Sequence, residues 1–187
     1  MEKRIIIDNE LLQIIIERLC QQLIENHDGF ENCVILGLQP RGVFLAERIS
    51  ATLKKLLQID IKLGYLDPTF FRDDFRKKEI PIKANFTKVP FPIEDKNVIL
   101  VDDVLYTGRT VRAALDALIA FGRPRKVELL ALIDRKYSRD LPVQANYIGR
   151  EVNCLKSEKV WVELKEQDGI LEDNIWLITK IIKDNKL

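Results

Sequence analysis

The stretch Val98-Ile-Leu-Val-Asp-Asp-Val-Leu-Tyr-Thr-Gly-Arg-Thr-Val-Arg112 decides the fold. Residues 98–101 predict a strand buried on both faces, because four branched apolar residues follow one another without polar alternation. From Thr110 onward the apolar spacing becomes that of a helix, and Gly122 with Pro124 predicts its end. The predicted buried face of this helix consists of Val111, Ala114, Leu115, Leu118 and Ile119.

Two carboxylates and a short hydroxyl-rich loop connect this strand to the helix. A helix N-terminus and the N–H groups of residues 107–110 are suited to holding a phosphate. Asp102 and Asp103 can accept hydrogen bonds from two neighbouring hydroxyl groups. A diacid after a strand is also common as a turn and helix cap. The order of strand, diacid, loop and helix favours a site for a phosphorylated ribose over that alternative.

The rest of the chain alternates strands and helices, which predicts an α/β fold with a parallel sheet covered on both faces. Ligands bind beyond the carboxyl ends of such strands. Gln39-Pro40-Arg41-Gly42 and Asp134-Arg135 each follow a predicted strand, so we expect them near Asp102. Gly42 would let the backbone approach a ligand, and Arg41 would bring a charge suited to pyrophosphate. The further predicted elements are strands at 5–7, 34–38, 59–66 and 127–133, a helix capped by Asp8 or Asn9, and a helix at 43–57.

The motif Val-Asp-Asp-Val-Leu-Tyr-Thr-Gly-Arg-Thr at residues 101–110 resembles the phosphoribosyl pyrophosphate (PRPP) motif of type I phosphoribosyltransferases. The residues of this motif are similar to those of the family branch that combines uracil phosphoribosyltransferase activity with regulation of the pyrimidine operon. The resemblance covers residues 4–164 and includes the pyrophosphate loop at 33–48. It departs at Gln39-Pro40 and at Lys136-Tyr137, and residues after 164 have no clear counterpart.

The resemblance implies one phosphoribosyltransferase domain over residues 1–187, with a central parallel sheet, helices on both faces, a small hood and a mobile loop at about 68–96. A C-terminal extension at about 165–187 would dock on the domain or on a partner subunit. It also implies binding of PRPP, uracil and UMP, with Mg²⁺ as the cofactor. The metal would be held mainly through PRPP, with Asp102 and Asp103 as the candidate protein ligands.

The resemblance also assigns roles to site residues. Asp102, Asp103 and Arg72 are the candidate catalytic residues: the two carboxylates would hold the ribose hydroxyls, and Arg72 would close over the pyrophosphate. Asp73 and Asp74 would orient Arg72 or be solvated loop charges. The candidate substrate-binding residues are Pro40, Arg41, Gly42, Val104, Leu105, Tyr106, Thr107, Gly108, Arg109, Thr110, Asp134 and Arg135.

Tyr106 argues against purine chemistry. Purine-specific relatives have an Asp at the matching place, whereas an unperturbed phenol is a poor base at neutral pH because its pKa is near ~10. Asp134 and Arg135 would lie at the base pocket, or would form a strand-end turn with a local ion pair. The alternatives to a uracil enzyme are a regulator with weak or incidental catalysis and a phosphoribosyltransferase of another base specificity.

Composition limits the remaining classes of function. The net charge of +1 gives no overall field for nucleic acid, but the stretch from Arg123 to Arg139 carries six cationic residues. By the resemblance, it is a candidate surface for pyrimidine leader RNA across a dimer or higher oligomer. Three cysteines without CxxC spacing predict free thiols, and we interpret His27 as structural. No apolar run is long enough to cross a membrane and no signal peptide is visible, so we expect a cytoplasmic protein.

Overall fold

The computed structural model describes residues 2–73, 85–155 and 157–179. Within these residues, no helix combines the length and apolar character that crossing a bilayer requires. The strands are β1 Glu2–Ile7, β2 Cys33–Leu38, β3 Leu63–Leu66, β4 Asn97–Leu105, β5 Lys126–Lys136, β6 Tyr147–Asn153, β7 Glu158–Glu163 and β8 Asn174–Thr179. The α-helices are α1 Asn9–Asn26, α2 Gly42–Leu57, α3 Arg109–Leu118 and α4 Lys165–Asp168, with 3₁₀ turns at Thr69–Phe71 and Ile119–Phe121.

The central sheet is parallel and has the strand order β3-β2-β4-β5-β6. Successive residues of a strand point to opposite faces. In β2, Ile35 packs with α1 and α2 on one face, whereas Val34 and Leu36 pack with α3 on the other. Both faces are therefore covered by helices, which confirms the fold predicted from the sequence.

The start of α1 follows the predicted capping chemistry. Asp8 is the N-cap, and its carboxylate accepts a hydrogen bond from the N–H of Leu11 at 2.9 Å. The predicted apolar face of the helix is buried: Leu12, Ile15, Ile16, Leu19 and Leu23.

Two predicted elements differ from the structure. Of the strand expected at 59–66, only residues 63–66 form a strand, β3. Ile59 and Ile61 pack against the core without joining the sheet. On α3, Leu115 and Ile119 are 40% and 76% exposed, so the predicted face was wrong at these positions. The helix presents small residues to the sheet instead, and its buried residues are Val111, Ala113, Ala114, Ala117 and Leu118.

A second sheet forms the hood, with antiparallel strands in the order β1-β8-β7. The strand predicted at 5–7 therefore belongs to the hood. The C-terminal extension supplies the hood's middle strand, β8, so its described residues pair with β1 and β7. Residues 180–187 lie outside the described residues.

The predicted mobile loop at 68–96 is only partly described, because residues 74–84 lie outside the described residues. Its second half is held against the domain. Lys88 exchanges two backbone hydrogen bonds with Tyr65, at 2.7 and 2.8 Å, and the side chain of Ile93 is fully buried. Residues 85–96 of the predicted loop thus include segments packed on the domain, and the mobility of the loop stays a prediction.

An ion pair links α2 to the start of β8. Arg48 donates to both carboxylate oxygens of Asp173, at 2.7 and 2.8 Å, and it also bonds Glu166 of α4. The side chain of Asp173 is fully buried, and its pKa is lowered because the hydrogen bonds and charge of Arg48 outweigh the effect of burial. The N–H of Lys165 donates to the same carboxylate at 2.9 Å.

We predict that Arg48→Met lowers the free energy of unfolding by about 3 kcal/mol, because it leaves a buried carboxylate without its cation. Lys54→Met is the matched control on the same helix, since Lys54 pairs with Asp60 at an exposed site. That control should cost less than about 1 kcal/mol. Urea denaturation of both variants provides the measurement, and equal losses would contradict a buried anchor at Arg48.

Candidate active site

The two carboxylates of the motif lie inside β4 rather than after it. Leu105 pairs in register with Asp134, so the strand continues past the diacid. Asp102 accepts the N–H of Asp103 at 3.0 Å, and Asp103 accepts the N–H of Val104 at 2.8 Å. Each carboxylate is thus fixed by a backbone donor while its strand remains paired.

Both carboxylates are removed from water. Asp102 is only 9% exposed. Burial raises the pKa of Asp102 well above its usual range, and the neighbouring charge of Asp103 raises it further. Burial also raises the pKa of Asp103, although the nearby Arg41 partly opposes this shift. The pair is poised to accept hydrogen bonds or cations, because its negative charge is poorly solvated.

The loop after β4 encloses a cavity of about 220 Å³. Gly108 has φ of +87°, a conformation that favours glycine, and α3 begins at the next residue. Arg72 closes one side and donates to the hydroxyl of Thr110 at 3.1 Å. The cavity is lined by the predicted residues Arg72, Asp102, Val104, Leu105, Tyr106, Thr107, Gly108, Arg109 and Thr110, together with Val111.

The sequence left undecided the roles of Asp73 and Asp74, the two acidic residues that follow Arg72. Asp73 forms an ion pair with Arg109 of the loop. Asp73 therefore connects the segment carrying Arg72 to the phosphate loop, and it is more than a solvated charge. Asp74 lies outside the described residues.

Arg41 bridges the diacid and the hood. Its Nε donates to Asp103 at 3.1 Å, and its Nη2 bonds the carbonyl of Val162 and lies 3.3 Å from Asp168. Its guanidinium also lies 5.3 Å from the ring centre of Trp161. The predicted position beside the diacid is thus observed, and contacts with the hood accompany it.

Glycine at position 42 was expected to let the backbone approach a ligand, and the structure shows that it also allows close packing within the protein. A Cβ at residue 42 would overlap the carbonyl oxygen of Val101 and lie 3.1 Å from the Cα of Asp102. The absence of a side chain lets α2 begin directly against β4. Pro40 precedes this turn through a cis peptide with Gln39.

Asp134 and Arg135 also lie within a strand, near the end of β5, and not in a turn after it. Asp134 forms an ion pair with Arg139, as the local alternative anticipated. Arg135 is 7% exposed, donates to the carbonyl of Glu158 at 3.0 Å and stacks 4.0 Å above the ring of Tyr106. Arg135 therefore joins the phosphate loop to the hood.

A second cavity, of about 260 Å³, lies between the diacid and the hood. The sequence prediction missed its hood wall, which includes Lys159 and Trp161 on β7. The Nζ of Lys159 lies 4.5 Å from the ring centre of Trp161. The alternation of residues 158–163 indicates a strand, but no local pattern shows that this strand covers Asp103. The lining consists of Arg41, Asp103, Val104, Tyr106, Arg135, Lys159, Val160, Trp161 and Val162.

The cationic stretch from Arg123 to Arg139 is not one surface. The strand β5 runs through its middle for 11 residues, and residues 129–133 are buried. The two ends of β5 are therefore separated by roughly 33 Å. Several of its cations are also paired, as Lys126 with Glu128, Lys136 with Glu151 and Arg139 with Asp134.

The remaining predictions concern His27 and the cysteines. His27 is buried, and its Nε2 lies 2.6 Å from Glu128, which confirms a structural role based on a side-chain partner. Cys20, Cys33 and Cys154 are free. Burial raises the pKa of each thiol, to about 12 for Cys20.

Comparison with known proteins decides the family. The family model described as "Phosphoribosyl transferase domain" matches residues 4–167. The chain belongs to the phosphoribosyltransferase family. Among curated relatives of this phosphoribosyltransferase, "Bifunctional protein PyrR" of Desulfosudis oleivorans is 47% identical over 90% of the chain and 94% of the relative. "Bifunctional protein pyrR" of Enterococcus faecalis is 43% identical with the same coverage. The resemblance identified from the motif is confirmed.

Solved structures agree on the phosphoribosyltransferase fold. A hypoxanthine phosphoribosyltransferase of Trypanosoma cruzi has a TM-score of 0.71 and 13% identity, covering 95% of this chain and 97% of the other. A hypoxanthine-guanine phosphoribosyltransferase of Bacillus anthracis has a TM-score of 0.63 and 20% identity, covering 80% and 84%. At these identities the likeness shows the fold alone.

The raised pKa of Asp102 leads to a prediction about stability. A carboxyl group with a higher pKa folded than unfolded holds its proton more tightly in the folded state, so it destabilises the fold as pH rises through that interval. Asp102→Asn removes this charge. We therefore expect the variant to unfold at a higher temperature than the ligand-free wild type at pH 8, with a smaller difference at pH 5. Each kcal/mol relieved corresponds to about 2–4 °C.

The control is Asp116→Asn, which changes a carboxylate on α3 with an exposed side chain. Its unfolding midpoint relative to wild type should change little between pH 5 and pH 8. Calorimetry of the three proteins at both pH values measures the effect. A lower midpoint for Asp102→Asn at pH 8 would show that the carboxylate stabilises the fold.

Proposed function

We propose that the protein is a Mg²⁺-dependent uracil phosphoribosyltransferase that converts uracil and PRPP to UMP and pyrophosphate. The observation that carries the proposal is the cavity at the end of β4, where the buried Asp102, a phosphate-type loop and Arg72 meet, while Asp103 lines the neighbouring cavity beside the hood. The similarity to PyrR proteins over 90% of the chain supports it.

The ribose of PRPP fits between the diacid and the loop. Asp102 and Asp103 would accept hydrogen bonds from the 2′- and 3′-hydroxyls. Displacement of pyrophosphate from C1 develops positive charge on the ribose, and two poorly solvated carboxylates stabilise such charge strongly. The diacid thus combines positioning with electrostatic stabilisation.

The 5′-phosphate would occupy the loop of residues 106–110. Backbone N–H groups and the N-terminus of α3 favour an anion there. The hydroxyl groups of Thr107 and Thr110 line the same cavity. Holding the phosphate fixes the distance between C1 and the incoming base, which supplies much of the rate enhancement in a bimolecular displacement.

The pyrophosphate would be bound by cations from two directions. Arg41 borders the diacid from the α2 side, and Arg72 borders it from the segment after β3. Asp103 accepts a hydrogen bond from Arg41, so pyrophosphate would share or replace that partner. Arg72 would then exclude water from C1 and disfavour hydrolysis of PRPP.

The donor set fits Mg²⁺ bound mainly through substrate. Among the described residues, no group of three or more His, Cys, Asp or Glu side chains forms a metal site. Mg²⁺ takes oxygen ligands, keeps several waters and is often held by one or two carboxylates plus substrate phosphates. Asp102 and Asp103 would hold it, and the ion would neutralise the charge of the departing pyrophosphate.

The base pocket supports a pyrimidine. Tyr106 occupies the loop position where an Asp would serve a purine, and Arg135 stacks on its ring. The cavity between Tyr106 and the hood, of about 260 Å³, would hold the base beside Arg135 near the end of β5.

We predict that, among the common bases, uracil alone gives rapid pyrophosphate release with PRPP and Mg²⁺. Incubation with each base, followed by a pyrophosphate assay with and without Mg²⁺, provides the measurement. Asp103→Asn is the variant control and should reduce the uracil rate about 10²-fold, since it removes a charge near the developing cation. Turnover with hypoxanthine or guanine but not with uracil would overturn the assignment.

A second function is favoured by the name of the relatives, which calls them bifunctional. We propose that the protein, as a dimer or higher oligomer, also binds pyrimidine leader RNA in response to UMP or PRPP. The cations at the two ends of β5 would have to act as separate groups, one near Arg123 and one near Lys136. Phosphate contacts of this kind would make the affinity fall steeply with salt.

The RNA proposal predicts tighter binding of the protein's own operon leader in the presence of UMP. Gel-shift titration with and without UMP, at two salt concentrations, measures this. A scrambled RNA of equal length is the control. Equal affinity for the leader and the scrambled RNA would leave a uracil salvage enzyme without the regulatory function.

A further inference from the structure

Arg139 is held by several hydrogen-bond acceptors within the protein. Its guanidinium group, including Nε, donates hydrogen bonds to five acceptors, and its side chain is only 22% exposed. The contacts engage Nε, Nη1 and Nη2, so all three nitrogens of the guanidinium group are held. The acceptors are the carbonyls of Leu105, Tyr106, Arg135 and Val143 and the carboxylate of Asp134.

Two of these acceptors belong to the loop that forms the phosphate cavity. Nη1 of Arg139 donates to the carbonyl of Leu105 at 3.2 Å and also to that of Tyr106. The next carbonyl, that of Thr107, accepts the N–H groups of Asp140 and Leu141 at 3.0 and 3.2 Å. Three consecutive loop carbonyls are therefore tied to residues 139–141.

Peptide planarity gives these bonds a consequence for the cavity. In a trans peptide the C=O of one residue and the N–H of the next point in opposite directions. Holding the carbonyls of Tyr106 and Thr107 toward Arg139 and Asp140 directs the N–H groups of Thr107 and Gly108 the other way. N–H groups presented in succession by a loop and a helix N-terminus make a concavity that favours an anion.

Other contacts hold the same segment against the loop. Asp140 accepts from Nε of Arg109 at 3.0 Å. A Cβ at Gly108 would lie 3.2 Å from the side chain of Val143, so the loop packs closely on this segment. Arg139 is thus part of a network of contacts that holds the loop, and is not an isolated surface cation.

We propose that Arg139 is a positioning residue that presets the 5′-phosphate loop by holding its carbonyls. The inference rests on the proposed function, because it assigns the loop to the phosphate of PRPP. Arg139 touches no substrate. It acts by keeping the loop N–H groups aimed at the phosphate before the substrate arrives, which removes an ordering cost from binding.

The test combines kinetics with binding of ribose 5-phosphate, which probes the loop without uracil or pyrophosphate. Arg139→Ala should raise the KM for PRPP and the Kd for ribose 5-phosphate by about 10-fold or more, with kcat within about 3-fold. This pattern marks binding lost equally in the ground state and the transition state. The KM for uracil should stay near the wild-type value. Lys136→Gln is the matched control, since it removes an exposed cation of the same segment.

Rescue separates positioning from general damage. Millimolar guanidinium should restore part of the ribose 5-phosphate affinity of Arg139→Ala, whereas ammonium should not. Arg139→Lys should resemble the Ala variant, because one ammonium group cannot span the loop carbonyls. If Arg139→Ala does not fold, Arg139→Lys undergoes the same measurements.

Three results would overturn the proposal. One is ribose 5-phosphate affinity within 2-fold of wild type in the Lys and Ala variants. Another is a parallel loss of kcat, uracil KM and thermal stability. The third is weaker leader-RNA binding with ribose 5-phosphate affinity unchanged. A wild type that binds ribose 5-phosphate without converting uracil would overturn the proposed function, while the positioning test on the loop would still decide this inference.

Discussion

The burial of two adjacent carboxylates is the constraint on which the site depends. Asp102 and Asp103 have lost most of their water, and like charges on neighbouring residues repel. Arg41 offsets part of that cost through its 3.1 Å contact with Asp103. Because Arg41 also binds the carbonyl of Val162, the hood is connected to the charge at the centre of the sheet. Arg41 therefore links the buried carboxylates of the site to the hood.

The sequence predicted the central sheet well because its information there is local. The apolar run in β4 and the change of spacing at Thr110 both lie within a few residues of the elements they predict. Local periodicity reports which side chains are buried, however, and not which strand supplies the hydrogen bonds. Ile59 and Ile61 were therefore misread as a strand although both pack on the core. Leu115 was misread because alanines lie nearest the sheet on α3.

For the site residues too, the sequence predicted what depends on local pattern and strand order, and missed what depends on long-range contacts. Topology brings the carboxyl ends of β2, β4 and β5 together, so Arg41, Asp102 and Asp134 could be grouped before their contacts were known. Lys159 and Trp161 could not, since β7 reaches the site only through long-range pairing with β8. Arg139 shows a different limit. Its charge suggested a nucleic-acid surface, but the loop carbonyls that occupy it are main-chain groups, which leave no signal in the order of side chains.

The hood also affects the order in which the protein can be made. β1 pairs only with β8 in its sheet, and Ile5 lies opposite Trp176. During translation at about 5–20 residues per second, β1 would wait roughly 10–30 s for its partner strand. Throughout that time its backbone presents unpaired groups to other chains. The charged residues Glu2, Lys3 and Arg4 at the start of β1 oppose such contacts. The nascent enzyme is thus protected against aggregation by the strand that will become the edge of its hood.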